Sequence, residues 1–133
     1  MAEVDPDVEY TEQHVWVRLS PRGSARVGIT DFAQESLGDL ITVTLPAVGD
    51  ELVAGEAFGE IESTKSVSEV YAPVPGVVTA VNPLLVDSPE LVNDEPYGEG
   101  WLIVLSVVVD SAEPASGEVK LMSADEYRGF TAE

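Results

Sequence analysis

Short β-strands dominate the pattern of hydrophobic and polar positions along the chain. Apolar and polar residues alternate in brief segments that Gly, Pro and other turn residues separate. These segments fall at residues 15–19, 25–29, 40–45, around Leu52, and at 57–61, 67–71, 77–81 and 101–109. The first two flank a Ser-Pro-Arg-Gly-Ser sequence and predict a hairpin. Many short strands with frequent turns predict a compact antiparallel sandwich or barrel.

Two segments carry helix signals. Thr30 precedes residues 31–37 and Gly38 follows them, which gives a cap at each end of a short helix. Near the end of the chain, Ser123 and Glu126 have the spacing of a capping box and predict a helix over 123–131.

The remaining segments connect these elements. The proline-containing stretch between 82 and 100 is long for a loop, so we expect a helical turn at 88–90 or a binding role there. Residues 110–118 have the composition of a linker to the last helix. We therefore expect one domain over residues 1–133, with a β core at about 10–109 and a C-terminal helix at 123–131.

Charge narrows the range of partners. The chain has 25 acidic and 6 basic residues, a formal net charge of −19 and a sequence pI near 4.1. Nucleic acid and anionic membranes would repel such a surface, so neither is an expected partner. The longest apolar run is too short to cross a bilayer, and the first residues lack the pattern of a secretory signal. We expect a cytoplasmic protein.

The residue inventory also limits the chemistry. Cysteine is absent and His14 is the single histidine, so disulfides, thiol catalysis and a zinc site are not expected. No Asp-x-Asp-x-Asp loop indicates calcium, so we expect no metal site. No pairing of a nucleophile with a base is apparent, and no catalytic residue is predicted.

Lys65 is the most distinctive position, since the chain has one other lysine, Lys120. Alternating segments run into and out of it, which predicts a hairpin tip that projects the ε-amine into solvent, where an enzyme could acylate it. Spacing alone leaves open a second interpretation, a solvated lysine paired with neighbouring glutamates. The residues that a modifying enzyme could recognise are the immediate neighbours Glu62, Ser63, Thr64 and Ser66.

The sequence around Lys65 resembles a known attachment segment. Residues 62–68 (Glu-Ser-Thr-Lys-Ser-Val-Ser), followed by 72–76 (Ala-Pro-Val-Pro-Gly), are similar to the lipoyl-attachment segment of the glycine cleavage system H protein family. Further matches follow in the same order, at residues 10–17, 27–34, 37–39, 45–46, 48–50, 91–93, 96–102 and 125–127. The resemblance covers most of the chain.

The resemblance implies both a fold and a role. The fold would be lipoyl-domain-like: mainly β, a flattened antiparallel sandwich or hybrid barrel with an N-terminal hairpin extension, a short helix and a C-terminal helix. Lipoic acid would be bound covalently to Lys65 as lipoyl-lysine. The protein would then be a non-catalytic, monomeric carrier that moves an aminomethyl group derived from glycine.

Four partners follow from the same resemblance. They are the pyridoxal-phosphate-dependent glycine decarboxylase (P protein), the tetrahydrofolate-dependent aminomethyltransferase (T protein), dihydrolipoamide dehydrogenase (L protein) and a lipoate-attaching enzyme. Thiol–disulfide chemistry needs a sulfur pair, and a tether raises the effective concentration of that pair at each partner.

The family also implies a cleft for the loaded arm. The candidate cleft residues here are Glu12, Gln13, His14, Phe32 and Glu69. One position departs from the family pattern, because Val15 stands between the histidine and Trp16 where an acidic residue is usual. Glu12 or Glu69 would then have to supply the carboxylate. Taken alone, His14 is also compatible with a structural role beside Trp16.

Two alternative functions remain. One is a carrier domain of another multienzyme system, although biotinyl domains resemble Met-Lys-Met at the tip and 2-oxoacid dehydrogenase lipoyl domains favour Asp-Lys-Ala. The other is a regulatory binding module that keeps the fold without modification.

Overall fold

The computed structural model describes residues 7–20, 23–107 and 121–131. These ranges form nine strands and four short helices. In chain order they are β1 (Glu9–Tyr10), β2 (Val15–Leu19), β3 (Ser24–Ile29), α1 (Asp31–Leu37), β4 (Leu40–Thr44), β5 (Glu51–Leu52), β6 (Ala57–Ser63), β7 (Val67–Tyr71), β8 (Gly76–Val81), α2 (Leu84–Asp87), α3 (Leu91–Asp94), β9 (Ile103–Ser106) and α4 (Ala124–Thr131).

The strands form two antiparallel sheets. One has six strands in the order β1-β2-β3-β9-β8-β5, and the other has three in the order β4-β6-β7. The β2–β3 hairpin pairs Val15 with Ile29 and Leu19 with Ala25, as the alternating pattern predicts. The mainly β fold with an N-terminal hairpin, a short helix and a C-terminal helix is therefore confirmed. The sheets are not closed into a barrel.

The main core lies on the inward faces of these strands. On β3, Ala25, Val27 and Ile29 are buried at alternate positions, as expected of a strand that covers a core on one face. A second, aromatic cluster lies under α4 and contains Tyr10, Trp16, Met122 and Tyr127 among its buried residues. The β1 strand joins the two ends of the described chain, because Tyr10 forms a bridge with Met122.

A few element predictions need correction. The helical turn expected at 88–90 is misplaced, since α2 and α3 lie on either side of Ser88 and only a turn separates them. The last predicted strand, 101–109, is Ile103–Ser106 within the described residues, and residues 108–109 lie outside them. The short β1 strand was not predicted, because two residues are too few to show alternation. The linker predicted at 110–118 lies outside the described residues.

Candidate functional site

A serine-stabilised turn forms the tip on which Lys65 stands. The β6–β7 hairpin closes over residues 63–66, where the Ser63 N–H donates to the Ser66 carbonyl at 2.8 Å. The Ser63 hydroxyl accepts from the N–H groups of Lys65 and Ser66, both at 3.1 Å. A side-chain oxygen that satisfies backbone donors in this way holds a turn without an Asn-Gly pair. The predicted hairpin therefore closes through Ser63.

The lysine itself is exposed. No carboxylate of residues 7–20, 23–107 or 121–131 forms an ion pair with it. Glu62, Thr64 and Ser66 are exposed beside it, whereas Ser63 is only 5% exposed and has its hydroxyl engaged in the turn. An enzyme that approaches the tip thus meets Glu62, Thr64 and Ser66 directly, and Ser63 only through the shape that it gives the turn.

The stem of Lys65 lies against the end of α1. Gly38 ends that helix with a φ of 83°, and a Cβ placed there would lie 3.2 Å from the Lys65 Cε. The next residue accepts a hydrogen bond from the hairpin, since the Thr64 N–H donates to the Asp39 carbonyl at 3.2 Å. The lysine tip is therefore attached to the connection between α1 and β4.

His14 lies at the other end of α1, in an aromatic setting. Its ring stacks on Phe32 with centroids 4.7 Å apart, and Nδ1 is 2.7 Å from the Tyr127 hydroxyl. That hydroxyl is also 2.8 Å from Thr30 Oγ1, which caps α1 by accepting from the Ala33 N–H. Burial lowers the pKa of His14 below its ordinary value, so the neutral imidazole is favoured.

A left-handed backbone fixes the direction of this ring. His14 has a φ of 64°, an uncommon value for a residue other than glycine. Its N–H donates to the Thr11 carbonyl at 3.1 Å and its carbonyl accepts from the Thr30 N–H at 3.0 Å. The turn thereby brings the imidazole over the first turn of α1, onto Phe32.

The structure brings some of the predicted cleft residues together and separates others. His14 and Phe32 are in contact, and Glu12 and Gln13 are exposed on the adjoining turn. Glu69 is paired in register with Glu60 on the exposed face of the β6–β7 hairpin, where its carboxylate accepts from the Tyr71 hydroxyl at 3.4 Å. No contact recorded in the structure joins Glu69 to His14 or Phe32.

The sequence of the chain matches a known protein family. A family model described as "Glycine cleavage H-protein" matches residues 8–133. The chain belongs to the glycine cleavage H-protein family.

Individual members show how close the similarity is. The glycine cleavage system H protein of Mycobacterium avium (strain 104) is 55% identical over 133 residues, covering all of both chains. That of Mycobacterium leprae (strain TN) is 52% identical over 97% of each chain. The crystal structure of a glycine cleavage system H protein from Mycobacterium marinum superposes with a TM-score of 0.84 at 40% identity, covering 95% of this chain and 97% of that one.

Membership in the H-protein family fixes the class of function. The chain is a carrier subunit in the glycine cleavage system and not an enzyme, as the resemblance implied. The family carries lipoate and serves the P, T and L proteins of that system. In the described part of the chain, no helix is long and apolar enough to cross a membrane. No cluster of three potential metal ligands occurs among the described residues either.

Sequence reasoning missed three residues of this region. Tyr127 falls in the predicted last helix, but its hydroxyl contact with His14 joins residues 113 positions apart. Gly38 was assigned a capping role, without its contact to Lys65. Asn93 lies in a family motif, but its contacts with the α1–β4 connection had no local signal. Each of these contacts depends on tertiary packing between distant segments.

Proposed function

We propose that Lys65 carries the lipoyl group of this H protein, attached through an amide to its ε-amine. The observation that carries the proposal is an exposed lysine at a hairpin tip, with no ion pair to a carboxylate of the described chain. The competing interpretation of the sequence, a lysine paired with neighbouring glutamates, would require such an ion pair. The H-protein family carries lipoate, and Lys65 lies in the segment that resembles the family's attachment site.

The surroundings of the lysine fit a long acyl arm. Lys65 is exposed among the described residues, and its aliphatic stem passes close to Gly38, where a Cβ would lie 3.2 Å from the Lys65 Cε. From Gly38 to Phe32, α1 spans about 9 Å along its axis, at 1.5 Å per residue. A medium-length acyl chain that follows α1 would therefore reach the His14–Phe32 surface.

The arm would give the protein chemistry that its own side chains lack. When bound, lipoate supplies a dithiolane that takes up the aminomethyl group of glycine at the decarboxylase and gives it up at the aminomethyltransferase. The dehydrogenase would reoxidise the dithiol, and a lipoate-attaching enzyme would install the arm. The chain's own part is to position the lysine, to tether the arm and to offer it a resting surface.

We propose that this resting surface is centred on His14 and Phe32. Their stacked rings are largely apolar, the imidazole is held neutral by burial, and Glu12 and Gln13 are exposed at the margin. A neutral ring with the Glu12 carboxylate nearby suits a cationic aminomethyl group better than an imidazolium would. Glu69 belongs to this surface only if the arm bends over the exposed face of the hairpin.

Lipoylation in vitro tests the attachment site. Three proteins without lipoate are compared: wild type, Lys65→Arg and Lys120→Arg. Each is incubated with lipoate, ATP and a lipoate ligase, and intact mass and peptide maps are recorded. We expect one lipoyl group on the unmodified chain and on Lys120→Arg, and none on Lys65→Arg. Modification of Lys65→Arg, or an unmodified wild-type chain, would reject Lys65 as the site. The second outcome would favour a binding module that keeps the fold without the arm.

Glycine–bicarbonate exchange with the glycine decarboxylase tests the carrier role. Lipoylated wild-type protein and lipoylated Lys120→Arg are expected to support exchange, and Lys65→Arg is expected to support none. All three proteins should have the same circular dichroism spectrum, because the tip is exposed and its turn is held by Ser63. Exchange by Lys65→Arg would show that the aminomethyl group is carried elsewhere.

A further inference from the structure

The side chain of Asn93 makes three hydrogen bonds to the end of α1 and the start of β4. Its Oδ1 accepts from the Leu40 N–H at 3.0 Å. Its Nδ2 donates to the Gly38 carbonyl at 2.8 Å and to Gln34 Oε1 at 3.0 Å. A backbone N–H can only donate and a carbonyl can only accept, so these partners determine the orientation of the carboxamide. One side chain of α3 thus holds the last turn of α1 and the first residue of β4.

The segment that Asn93 holds is the one that contacts the lysine tip. Gly38 lies against the Lys65 stem, and Asp39 accepts the hydrogen bond from Thr64. Leu40, which also bonds to Asn93, pairs in register with Ser63, whose hydroxyl closes the turn. Residues 38–40 therefore contact the tip at three successive positions, and Asn93 of α3 bonds to the first and last of these residues.

We propose that Asn93 is a positioning residue for Lys65, acting through residues 38–40 to fix the place and direction of the lysine tip. It would set how well the tip fits the lipoate-attaching enzyme and, once the arm is attached, the direction in which the arm leaves the protein. This inference rests on the proposed attachment at Lys65. It extends the functional region to α3, whose other residues were assigned no role in the site.

The chain contains a matched control in Asn82. The Asn82 carboxamide has the same bonding pattern, donating to the carbonyls of Glu99 and Trp101 at 2.7 and 2.8 Å and accepting from the Leu84 N–H at 3.1 Å. It is 1% exposed, more buried than Asn93. A general loss of stability should therefore be at least as large for Asn82→Asp as for Asn93→Asp. None of its partners contacts the Lys65 turn.

The first measurement is the kcat/KM of lipoate attachment to the unmodified proteins by a lipoate ligase, at a temperature where thermal melts show every protein folded. Asn93→Asp keeps the acceptor for Leu40 but turns an oxygen toward the Gly38 carbonyl, so the segment has to move. We expect kcat/KM to fall about tenfold for Asn93→Asp, as for other displaced reacting groups. For Asn82→Asp we expect a change of less than about twofold, since its partners lie outside the site.

The second measurement is hydrogen exchange at the Thr64 amide, which needs no ligase. Its protection depends on the bond to Asp39. We expect faster exchange in Asn93→Asp and unchanged exchange in Asn82→Asp. Unchanged exchange and acylation in Asn93→Asp, or equal effects in the two variants, would overturn the positioning role even if Lys65 is the lipoylation site. A wild-type chain that is never acylated would instead reject the proposed function, and the Thr64 amide would still decide the positioning role.

Discussion

At the scale of single residues, side-chain oxygens set the geometry of the site where the commoner turn signals are absent. The Ser63 hydroxyl closes the hairpin under Lys65, and the Thr11 hydroxyl accepts from the N–H groups of Gln13 and Val15 in the turn that carries His14. Such hydroxyl turns are weaker signals in a sequence than Asn-Gly. The exposed lysine could thus be predicted from its flanking strands, whereas the bonds that hold it could not.

The close approach of Gly38 to Lys65 leads to a prediction with an internal control. Gly38→Ala would place an alanine at a positive φ of 83° and put its Cβ 3.2 Å from the Lys65 Cε. Gly49→Ala would also place an alanine at a positive φ, 98°, but its Cβ would have nothing within 4 Å. We expect both to lose about 1–2 kcal/mol of unfolding free energy in urea titrations. Only Gly38→Ala should also slow lipoate attachment to Lys65. Equal attachment rates in the two variants would show that the contact between Gly38 and the Lys65 side chain does not affect attachment.

The depressed pKa of His14 leads to a prediction about acid stability. Burial lowers this pKa from 6.5, so between the two values the unfolded chain binds a proton that the folded chain does not. The stabilisation is complete above pH 6.5 and is lost as pH falls through the lowered pKa. His14→Asn tolerates the left-handed backbone and does not titrate.

Urea titrations of both proteins at about pH 8 and about pH 5.5, on either side of the ordinary histidine pKa, test this prediction. The advantage of the wild type in unfolding free energy should be smaller at the acidic pH. The many carboxylates are common to both proteins and cancel in the difference. A constant or growing advantage on acidification would show that His14 is not held neutral by the fold.

At the scale of elements, α4 connects the end of the chain to the His14 region. A capping box begins the helix, since the Ser123 N–H donates to Glu126 Oε1 at 2.9 Å and the Glu126 N–H donates to Ser123 Oγ at 3.2 Å. One turn later, Tyr127 stacks on Tyr10 with centroids 4.4 Å apart. Through Tyr127, the helix therefore supports His14 on the side of the ring that faces the aromatic cluster.

Removing the Tyr127 hydroxyl tests this connection. Tyr127→Phe keeps the ring stack but deprives His14 Nδ1 and Thr30 Oγ1 of a shared partner. We expect a loss of about 1–3 kcal/mol in unfolding free energy, as for other buried polar groups left unpaired. Tyr71→Phe is the control, because that hydroxyl has one exposed, 3.4 Å contact with Glu69 and its loss should cost less than about 0.5 kcal/mol. Similar losses in the two variants would contradict the role of the Tyr127 hydroxyl.

The elements also show why sequence reasoning succeeded in some places and failed in others. Strands such as β7 (Val67–Tyr71) and the capped α1 (Asp31–Leu37) carry their signal within a few neighbouring residues. The start of α2 is held instead by Asn82, whose carboxamide binds residues 99 and 101 and accepts from the Leu84 N–H. A helix of four residues has little intrinsic stability, so its place follows from such tertiary bonds.

At the scale of the whole molecule, acidity is the dominant physical property. With a formal net charge of −19, self-repulsion lowers the stability of the folded state and favours partners that offer basic surfaces. Glu60 lies directly opposite Glu69 on the exposed hairpin face. Like charges directly opposite each other on neighbouring strands destabilise a sheet. Both carboxylates lie on the hairpin that carries the proposed attachment site, where a basic partner surface could neutralise them.

Charge repulsion makes stability dependent on salt. We expect the thermal midpoint to rise by several degrees when NaCl increases from about 0.01 M to about 0.5 M, because the screening length falls from about 30 Å to below 8 Å. The double variant Glu60→Gln/Glu69→Gln removes the directly opposed pair. It should melt at a higher temperature than the wild type at low salt, and at nearly the same temperature at high salt. A midpoint that does not change with salt would contradict the role of charge repulsion. A gain in the double variant that persists at high salt would instead indicate better packing of the hairpin. If the expected pattern holds, the acidic hairpin face lowers stability at low ionic strength, and a basic partner surface that neutralises it would raise stability on binding.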